Sequence, residues 1–476
     1  MSGPDLSAFN RGSVLAPAGC GKTQLIADTL GRHTGGKPIL VLTHTNAGKA
    51  ALEQRLARSA APREAYRVFT IDSWAVRLAS KFPQRCGVRS TVARLASPST
   101  DYPILRAAVA TMLDAGHLDD ALRSTYARLL VDEYQDCSLA QHAIVVATAN
   151  VLPTVVLGDP MQAIFGFAGP TVDWKKDVRA EFPEVLRLQT PWRWDNAGTG
   201  DLGRWLLSIR KPLWNGEPID LRDAPSQLTW VALDGNEADI HRQRMKAAMH
   251  RAPKDGNVLV IGKSAKRENR HQIASVCPGA VVVEPVDFPD LISFGSRFKP
   301  EADQSTEHLL DFASDIMTGV SRTLLSKRLA ILGRGRHTKP PSEVEAALQA
   351  FAQGRDFERA AEVLFRLASA DGARVYRPEM YRMCRAAMKA AQTGSTSFHE
   401  AAMRGREAAR HLPRRVASRS VGSTLLLKGL EADAGVVLYP EEMDGKHLYV
   451  ALTRGAKQVV VCAKDAVLTP MQSKRT

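Results

Sequence analysis

The α/β architecture of this chain is first indicated by the octapeptide Ala16-Pro17-Ala18-Gly19-Cys20-Gly21-Lys22-Thr23. The apolar pair Val14-Leu15 before it predicts the end of a strand, and residues 24–30 after it predict a helix. Glycines in such a turn let backbone N–H groups point at a phosphate bound to the helix N-terminus. The lysine would reach the β- and γ-phosphates and the threonine hydroxyl would hold Mg²⁺. An ordinary tight turn is the alternative, because the common pattern begins with Gly rather than Ala.

Strand-like and helix-like segments alternate after this loop. Residues 38–45 and 66–71 are largely apolar runs, and a helix-like segment follows each of them. This alternation predicts parallel sheets covered by helices. Both runs end in polar residues, which are Thr43, Thr45 and Asn46 in the first case and Thr70, Asp72 and Ser73 in the second. Ligands of open α/β sheets bind at the carboxyl ends of strands, so these residues are candidate ligand contacts, with helix capping by Asn46 and Asp72 as the alternative.

Two later strand-like runs end in residues suited to a magnesium–nucleotide site. Residues 127–131 lead directly into Asp132 and Glu133. One such carboxylate can orient Mg²⁺ through water, and the other can polarise an attacking water. Residues 154–157 lead to Gln162, whose side chain is placed to sense a γ-phosphate. Nearby, Phe165 and Phe167 flank a glycine, so one ring can stack on an unpaired base, or both can belong to the core.

Length, charge and cysteine use restrict the class of protein. A chain of 476 residues is too long for one core and predicts two large domains. The net charge of +14 favours a polyanionic partner, above all nucleic acid, and residues 321–420 alone contribute +11 of it. A generally basic surface is the alternative. The six cysteines lack paired zinc spacing, and no export signal or membrane-spanning run is present, so we expect a cytoplasmic protein without a membrane partner.

Taken together, these blocks resemble, in order, the motifs of superfamily 1 helicases of the UvrD/PcrA/Rep type. The blocks are residues 16–23 (motif I), 42–46 (Ia), 69–72 (Ib), 131–136 (II), 158–169 (III), 192–193 (IV), 428–431 (V) and 448–454 (VI). The resemblance extends over both predicted domains. It implies two RecA-like parallel-sheet domains that use ATP and Mg²⁺.

The resemblance also implies roles for individual residues. The implied catalytic residues are Glu133 as general base, Gln162 as the link between γ-phosphate and DNA, and Arg193 and Arg454 as arginine fingers from the second domain. Implied nucleotide contacts are residues 16–23 together with Trp192, which would stack on adenine, Gly429 and Glu431. The implied metal ligands are Thr23 and Asp132. The implied DNA contacts are His44, Thr45, Asn46, Thr70, Asp72, Phe167 and Lys428.

Four features depart from the family pattern. No glutamine precedes Ala16, although the family usually carries an adenine-binding glutamine there. His44 replaces an aromatic residue of motif Ia, Asp72 replaces the histidine of motif Ib, and Leu425 replaces a histidine of motif V. The three replacements concern DNA contacts rather than hydrolysis. The resemblance therefore implies nucleotide selectivity and translocation polarity less directly than it implies ATPase activity.

The domain plan that we predict is discontinuous. Residues 1–80 and 124–190 form the first, ATP-binding RecA-like domain, interrupted by a small helical insertion at 81–123. Residues 191–290 and 414–476 form the second RecA-like domain, interrupted by a basic helical insertion at 291–413. Within that insertion, helices are predicted at 306–332, 343–352, 356–369, 378–391 and 398–411. Its arginines, among them Arg414 and Arg415, predict a surface for duplex DNA, with a solvated helix face or a protein-docking face as alternatives.

The function that the resemblance implies is that of an ATP-dependent 3′→5′ translocase and helicase on single-stranded DNA. One alternative is a DNA-stimulated ATPase subunit of a larger complex, such as a nuclease-associated phage-defence complex, with little unwinding of its own. Another is an ATP-gated DNA-binding regulatory module. The expected partners are single-stranded or tailed DNA and, for the subunit alternative, a nuclease or a repair or defence factor.

Overall fold

The computed structural model describes residues 4–59, 61–95, 97–165, 169–335, 339–410 and 416–472. The chain divides into two compact units. Unit 1 consists of Met1–Trp230, Pro440–Val459 and Asp465–Thr476, and unit 2 consists of Val231–Tyr439 and Val460–Lys464. In the part of the chain that the structure describes, every helix is too short or too polar to cross a bilayer.

Unit 1 is built on a six-stranded parallel sheet. Its strands are β1 (Arg11–Leu15), β2 (Ile39–Thr43), β3 (Tyr66–Thr70), β4 (Leu129–Val131), β5 (Thr154–Gly158) and β6 (Glu184–Arg187). The strand order is β3-β2-β4-β5-β1-β6, and every neighbouring pair is parallel. Strands β2, β4 and β5 are buried along their whole length, which is why their sequences are continuous apolar runs. The carboxyl ends of β4, β5 and β1 therefore lie side by side at one edge.

Helices cover both faces of this sheet. They are α1 (Lys22–Arg32), α2 (Asn46–Leu56), α3 (Ile71–Lys81), α4 (Pro83–Cys86), α5 (Ser90–Ala93), α6 (Pro98–Asp114), α7 (Asp119–Thr125), α8 (Leu139–Ala149), α9 (Arg179–Glu181), α10 (Trp192–Asn196), α11 (Gly200–Ser208) and α12 (Arg210–Asn215). One core packs Trp74, Leu105 and Ile144 against the sheet, and a second packs Ile26 and Leu30 against it. A two-residue strand, β7 (Ile219–Asp220), follows α12.

The second sheet also has six strands, in the order β10-β13-β9-β14-β15-β8. The strands of the rest of the chain are β8 (Leu228–Ala232), β9 (Val258–Ile261), β10 (Ala280–Val282), β11 (Met317–Thr318), β12 (Arg374–Val375), β13 (Arg419–Gly422), β14 (Ala432–Val437), β15 (Gly455–Ala463) and β16 (Val467–Leu468). Strand β9 pairs in parallel with β13 and β14, and β10 pairs in parallel with β13. The predicted α/β fold with two parallel-sheet domains is confirmed.

Unit 2 contains most of the remaining helices. They are α13 (Glu237–Ala248), α14 (Arg267–Val276), α15 (Pro289–Arg297), α16 (Ser305–Ile316), α17 (Arg322–Gly333), α18 (Glu343–Gly354), α19 (Phe357–Ser369), α20 (Pro378–Gln392), α21 (Phe398–Ala409) and α22 (Thr424–Leu427), whereas α23 (Gly445–Leu452) belongs to unit 1. Helices α15 to α21 enclose a core with stacked Phe294, Phe298 and Phe312.

The prediction of one helix over 306–332 is wrong. The chain forms two helices there, α16 and α17, because β11 between them pairs with β12 in an antiparallel ladder. Gly319, with a φ of +81°, then lets the chain turn out of that ladder. A distant pairing partner thus overrides the local helical periodicity.

The compact units differ from the predicted domain plan. Residues 191–230 and 440–459 belong to unit 1, although the sequence pattern assigns them to the second RecA-like domain. Helix α12 packs closely on α23, and a side chain on Gly445 would collide with the carbonyl oxygen of Leu213. This close packing groups both segments with the first sheet. The assignment of residue ranges to two RecA-like domains stays a prediction.

Candidate active site

The predicted phosphate loop, residues 16–23, joins β1 to α1. Gly19 and Gly21 have φ values of +70° and +88°, a conformation that side chains rarely adopt. The loop is held to the sheet because the Ala16 amide donates to the Gly158 carbonyl over 2.9 Å. Gly21 is the N-cap of α1 and has no side chain to satisfy the first amides of that helix. Those amides are therefore available to an anion.

Lys22, the first residue of α1, contacts both carboxylates that follow β4. Its Nζ lies 2.9 Å from Asp132 Oδ1 and also donates to Glu133 Oε1. Burial by itself lowers the pKa of Lys22, but the charges of Asp132 and Glu133 outweigh it and raise that pKa above its ordinary value. Glu133 has a φ of +55°, which is costly for a residue with a side chain and is typical of functional sites.

Asp132 is the more buried of the two carboxylates. Its side chain is only 8% exposed. Burial raises the pKa of the Asp132 carboxyl, the Lys22 cation opposes this effect, and the charge of Glu133 adds to it. A buried carboxylate of this kind needs a cation beside it, which Lys22 supplies and Mg²⁺ would also supply.

A network of side-chain amides connects these carboxylates to the end of β5. Gln135 Nε2 donates to Glu133 Oε2 over 2.5 Å and to Asp136 Oδ2 over 3.2 Å. The oxygen of the same side chain accepts from the Asp159 amide over 3.0 Å. Gln162, the predicted γ-phosphate sensor, donates to Asp159 Oδ2 over 2.9 Å. The structure therefore brings Gln162 into one network with Glu133.

Helix α10 packs on the phosphate loop. The Arg193 amide donates to the Gly19 carbonyl over 3.0 Å. A Cβ on Gly19 would lie 2.5 Å from Trp194 Cζ3, and a Cβ on Gly21 would lie 3.1 Å from Trp192 Cδ1. Trp194 is buried, whereas Trp192 is 54% exposed. Trp192 is therefore an accessible aromatic surface beside the loop, as the stacking prediction requires.

The two predicted arginine fingers lie in the same unit as the phosphate loop. Arg193 Nη1 donates to the Thr453 carbonyl over 2.7 Å, so motif IV is tied to the end of α23. Arg454 is 2% exposed and donates through Nε to the Val450 carbonyl over 2.8 Å. Arg454 Nη2 also donates to Thr453 Oγ1 over 3.0 Å. In this arrangement the Arg454 guanidinium is bonded to its own helix.

Two of the predicted DNA contacts are helix caps. Thr45 caps α2 by accepting from the Gly48 amide over 3.0 Å, and Thr70 caps α3 through a capping box with Ser73. The capping alternative thus applies to Thr45 and Thr70 rather than to Asn46 and Asp72. Asn46 is the first residue of α2.

The other replaced positions of unit 1 have structural partners. Asp72 accepts two hydrogen bonds of 2.7 Å from the Arg106 guanidinium. His44 Nδ1 lies 3.2 Å from Gln141 Oε1, and its ring centroid lies 6.0 Å from that of Phe165. Both side chains therefore have partners within unit 1 that lie far from them in the sequence.

The motif V residues belong to unit 2. Lys428 is the C-cap of α22, and Gly429 follows it with a φ of +81°. Glu431 is exposed and directly precedes β14. Phe167, Arg414 and Arg415 lie outside the described residues.

Comparison with protein families matches the region that contains the Asp132 and Glu133 carboxylates. Residues 93–183, which include β4, β5, Asp132, Glu133 and Gln162, match the family model for the UvrD/REP helicase N-terminal domain. This segment is therefore similar to part of the UvrD/REP helicase N-terminal domain. Comparison of the chain with curated proteins finds no match.

Among solved structures, the chain is similar to the arterivirus nonstructural protein 10 helicase, which was solved in complex with DNA. The two sequences are 12% identical, and the TM-score is 0.29. The match covers 58% of this chain and 55% of the arterivirus chain, so it spans about half the length of that protein.

Three residues of the site carry no role in the sequence-based prediction. They are Gln135, Asp159 and Arg210. Gln135 and Asp159 lie inside the motif II and motif III blocks, so their motif membership was an available signal. Arg210 lies outside every motif block and makes two hydrogen bonds to Asp159.

Proposed function

We propose that this chain hydrolyses ATP with Mg²⁺ in response to single-stranded DNA, moves along that strand in the 3′→5′ direction and unwinds duplex DNA. The observation that carries the proposal is the contact of Lys22, at the start of α1, with both Asp132 and Glu133. This contact places a glycine loop, a lysine and paired carboxylates at one edge of a parallel sheet, as nucleotide hydrolysis requires.

The residues at this edge fit a magnesium–nucleotide complex. The free amides of α1 and the Lys22 ammonium suit phosphate, and the Thr23 hydroxyl and Asp132 carboxylate are the hard oxygen ligands that Mg²⁺ prefers. Trp192, exposed beside Gly21, would hold the base. When bound, MgATP supplies the phosphoanhydride bond whose hydrolysis releases the free energy for movement.

Glu133 is the general base in this proposal. Its Oε1 is occupied by Lys22 and its Oε2 by the Gln135 amide. Because the Lys22 ammonium would turn to phosphate, Oε1 would become available to take a proton from water. Gln135 would keep the carboxylate oriented during that step. Gln162 would report the state of the site to the network around Asp159.

The DNA part of the proposal is supported by the UvrD/REP match and by the net charge of +14. The polarity is carried over from the family resemblance. Because Asp72 is paired with Arg106, it is the proposed DNA contact with the least support. His44, Thr45, Asn46, Thr70 and Lys428 stay proposed contacts.

A second candidate is a DNA-stimulated ATPase subunit that unwinds little on its own. It is favoured by the small size of the helical segment between β3 and β4, where α6 is the one helix among the described residues that exceeds eleven residues. Such a subunit would need a protein partner. The set of Lys22, Glu133, Gln162, Arg193 and Arg454 argues against a purely regulatory module.

The test is ATP hydrolysis by the purified chain with and without single-stranded DNA. Lys22→Ala should abolish stimulated turnover. Lys37→Ala, a matched change of a lysine whose Nζ donates to the Arg123 carbonyl over 2.8 Å, should not. Glu133→Gln should abolish hydrolysis and retain nucleotide binding. Turnover that is unaffected by Lys22→Ala or Glu133→Gln would refute the proposal.

Unwinding assays then separate the two candidates. Duplexes with a 3′ or a 5′ single-stranded tail are compared at equal protein concentration. Unwinding of the 3′-tailed duplex alone supports the proposed helicase. DNA-stimulated hydrolysis without unwinding supports the ATPase subunit, and unwinding of the 5′-tailed duplex would refute the proposed polarity.

A further inference from the structure

Arg210 makes a buried bidentate contact that no motif explains. Its Nη2 and Nη1 donate to the two carboxylate oxygens of Asp159 over 2.6 and 2.9 Å. The Asp159 side chain is 1% exposed and that of Arg210 is 14% exposed. A pair of this geometry is strong because both charges are shielded from water and both hydrogen bonds are aligned.

Asp159 is the junction of the site network. Its Oδ1 also accepts from the Met161 amide over 3.1 Å, and its Oδ2 also accepts from Gln162 over 2.9 Å. Its own amide donates to Gln135, which in turn donates to Glu133. The Asp159 carboxylate is therefore linked to the proposed sensor, and the Asp159 backbone amide is linked through Gln135 to the proposed base.

Arg210 is itself held from the other side. Its guanidinium lies 4.8 Å from the ring centroid of Tyr449, a buried residue of α23. Helix α23 ends beside Thr453, whose carbonyl accepts from Arg193. Arg210 thus joins the segment after β5 to the helix that carries motif VI, within one compact unit.

We propose that Arg210 is a positioning residue for nucleotide hydrolysis, which fixes Asp159 so that Gln162 and, through Gln135, Glu133 keep their orientations. This inference rests on the function proposed above. Without Arg210, the Asp159 carboxylate would be left buried with only neutral donors, and its side chain would turn toward solvent or toward another cation. Gln162 would then lose its carboxylate partner, and the backbone at Asp159, whose amide donates to Gln135, would no longer be fixed by its own side chain.

The experiment compares Arg210→Met and Arg210→Lys with Arg11→Met. Arg11 is a matched control because it also combines an ion pair, 2.7 Å to Glu181, with a ring contact, 5.2 Å to the Phe182 centroid. It begins β1, at the opposite end of that strand from the phosphate loop. Nucleotide Kd, kcat and KM are measured per folded molecule, and backbone amide hydrogen exchange is measured over residues 132–137 and 158–163.

We expect Arg210→Met to lower kcat by roughly 10- to 100-fold while the nucleotide Kd changes less than about threefold. Arg210→Lys keeps the charge but not the bidentate geometry, so its kcat should be intermediate. The Asp159 and Met161 amides should exchange faster in both variants. Arg11→Met should change none of these quantities.

Two outcomes would overturn the inference. The first is that kcat per folded molecule is the same in both Arg210 variants as in the wild type. The second is unchanged amide exchange over residues 158–163. If Arg210→Met does not fold, Arg210→Lys decides by the same criteria. A wild-type chain without hydrolysis would refute the proposed function, and the exchange measurement would still decide whether Arg210 positions this segment.

Discussion

Gly19→Ala tests whether the phosphate loop is as tightly covered as the structure indicates. A side chain at Gly19 faces two separate costs. The first is the φ of +70°, which an L-residue adopts at a cost of about 1–2 kcal/mol. The second is contact, because the new Cβ would lie 2.5 Å from Trp194 Cζ3 and 2.9 Å from Arg193 Cβ. Overpacking of this kind costs about 1–3 kcal/mol. We therefore expect Gly19→Ala to lower the free energy of unfolding by about 2–5 kcal/mol.

Gly87→Ala separates the two costs. Gly87 has nearly the same φ, +69°, but a Cβ there would meet no atom within 4 Å. Gly87→Ala should therefore cost only the backbone part, about 1–2 kcal/mol. Urea denaturation of both variants, followed by tryptophan fluorescence, measures the difference between them.

A second substitution tests whether the Trp194 ring causes the contact cost of Gly19→Ala. Trp194→Phe removes the outer ring atoms, including Cζ3, that a Cβ on Gly19 would meet. In a double-mutant cycle, Trp194→Phe should recover at least about 1 kcal/mol of the cost of Gly19→Ala. Equal costs for Gly19→Ala and Gly87→Ala would show that Trp194 does not restrict the loop, and the reasoning would fail.

Three further predictions concern other sites. Trp192→Ala should raise the KM for ATP by an amount equivalent to about 1–3 kcal/mol, with Trp192→Phe close to the wild type; an unchanged KM in the alanine variant would remove the stacking role. Burial, and after it the charge of Arg377, lowers the pKa of His271 to about 4. Between about pH 6.5 and 4, the His271 imidazole is therefore neutral in the folded chain, whereas it takes up a proton in the unfolded chain. Stability should fall by about 2 kcal/mol, allowing for partial exposure, as pH drops from about 6.5 to 4, and His271→Gln should not show this loss in urea titrations across that range. Burial raises the pKa of Cys20 to about 12, so iodoacetamide at pH 7.5 should modify Cys20 only after unfolding; mass spectrometry that finds it alkylated in the native protein would contradict the described burial.

Local sequence was sufficient for the features that depend on neighbouring residues. Strands β2 and β5 are buried on both sides, and a buried parallel strand needs a continuous apolar run that is visible in the sequence. Gly19 and Gly21 mark a turn because positive φ values are accessible to glycine. Asp132 and Glu133 follow their strand directly, so the sheet edge that they reach was predictable.

Features that depend on distant partners were decided only by the tertiary structure. Arg210 and Asp159 are 51 residues apart, and nothing in the sequence near either residue indicates the other. The same holds for Asp72 with Arg106, for the short ladder that divides 306–332 and for the packing of α12 on α23. In each case the partner is supplied by the fold, because a side chain's surroundings depend on which elements pack together. Periodicity and spacing determine which elements form, and the packing of those elements determines which side chains meet.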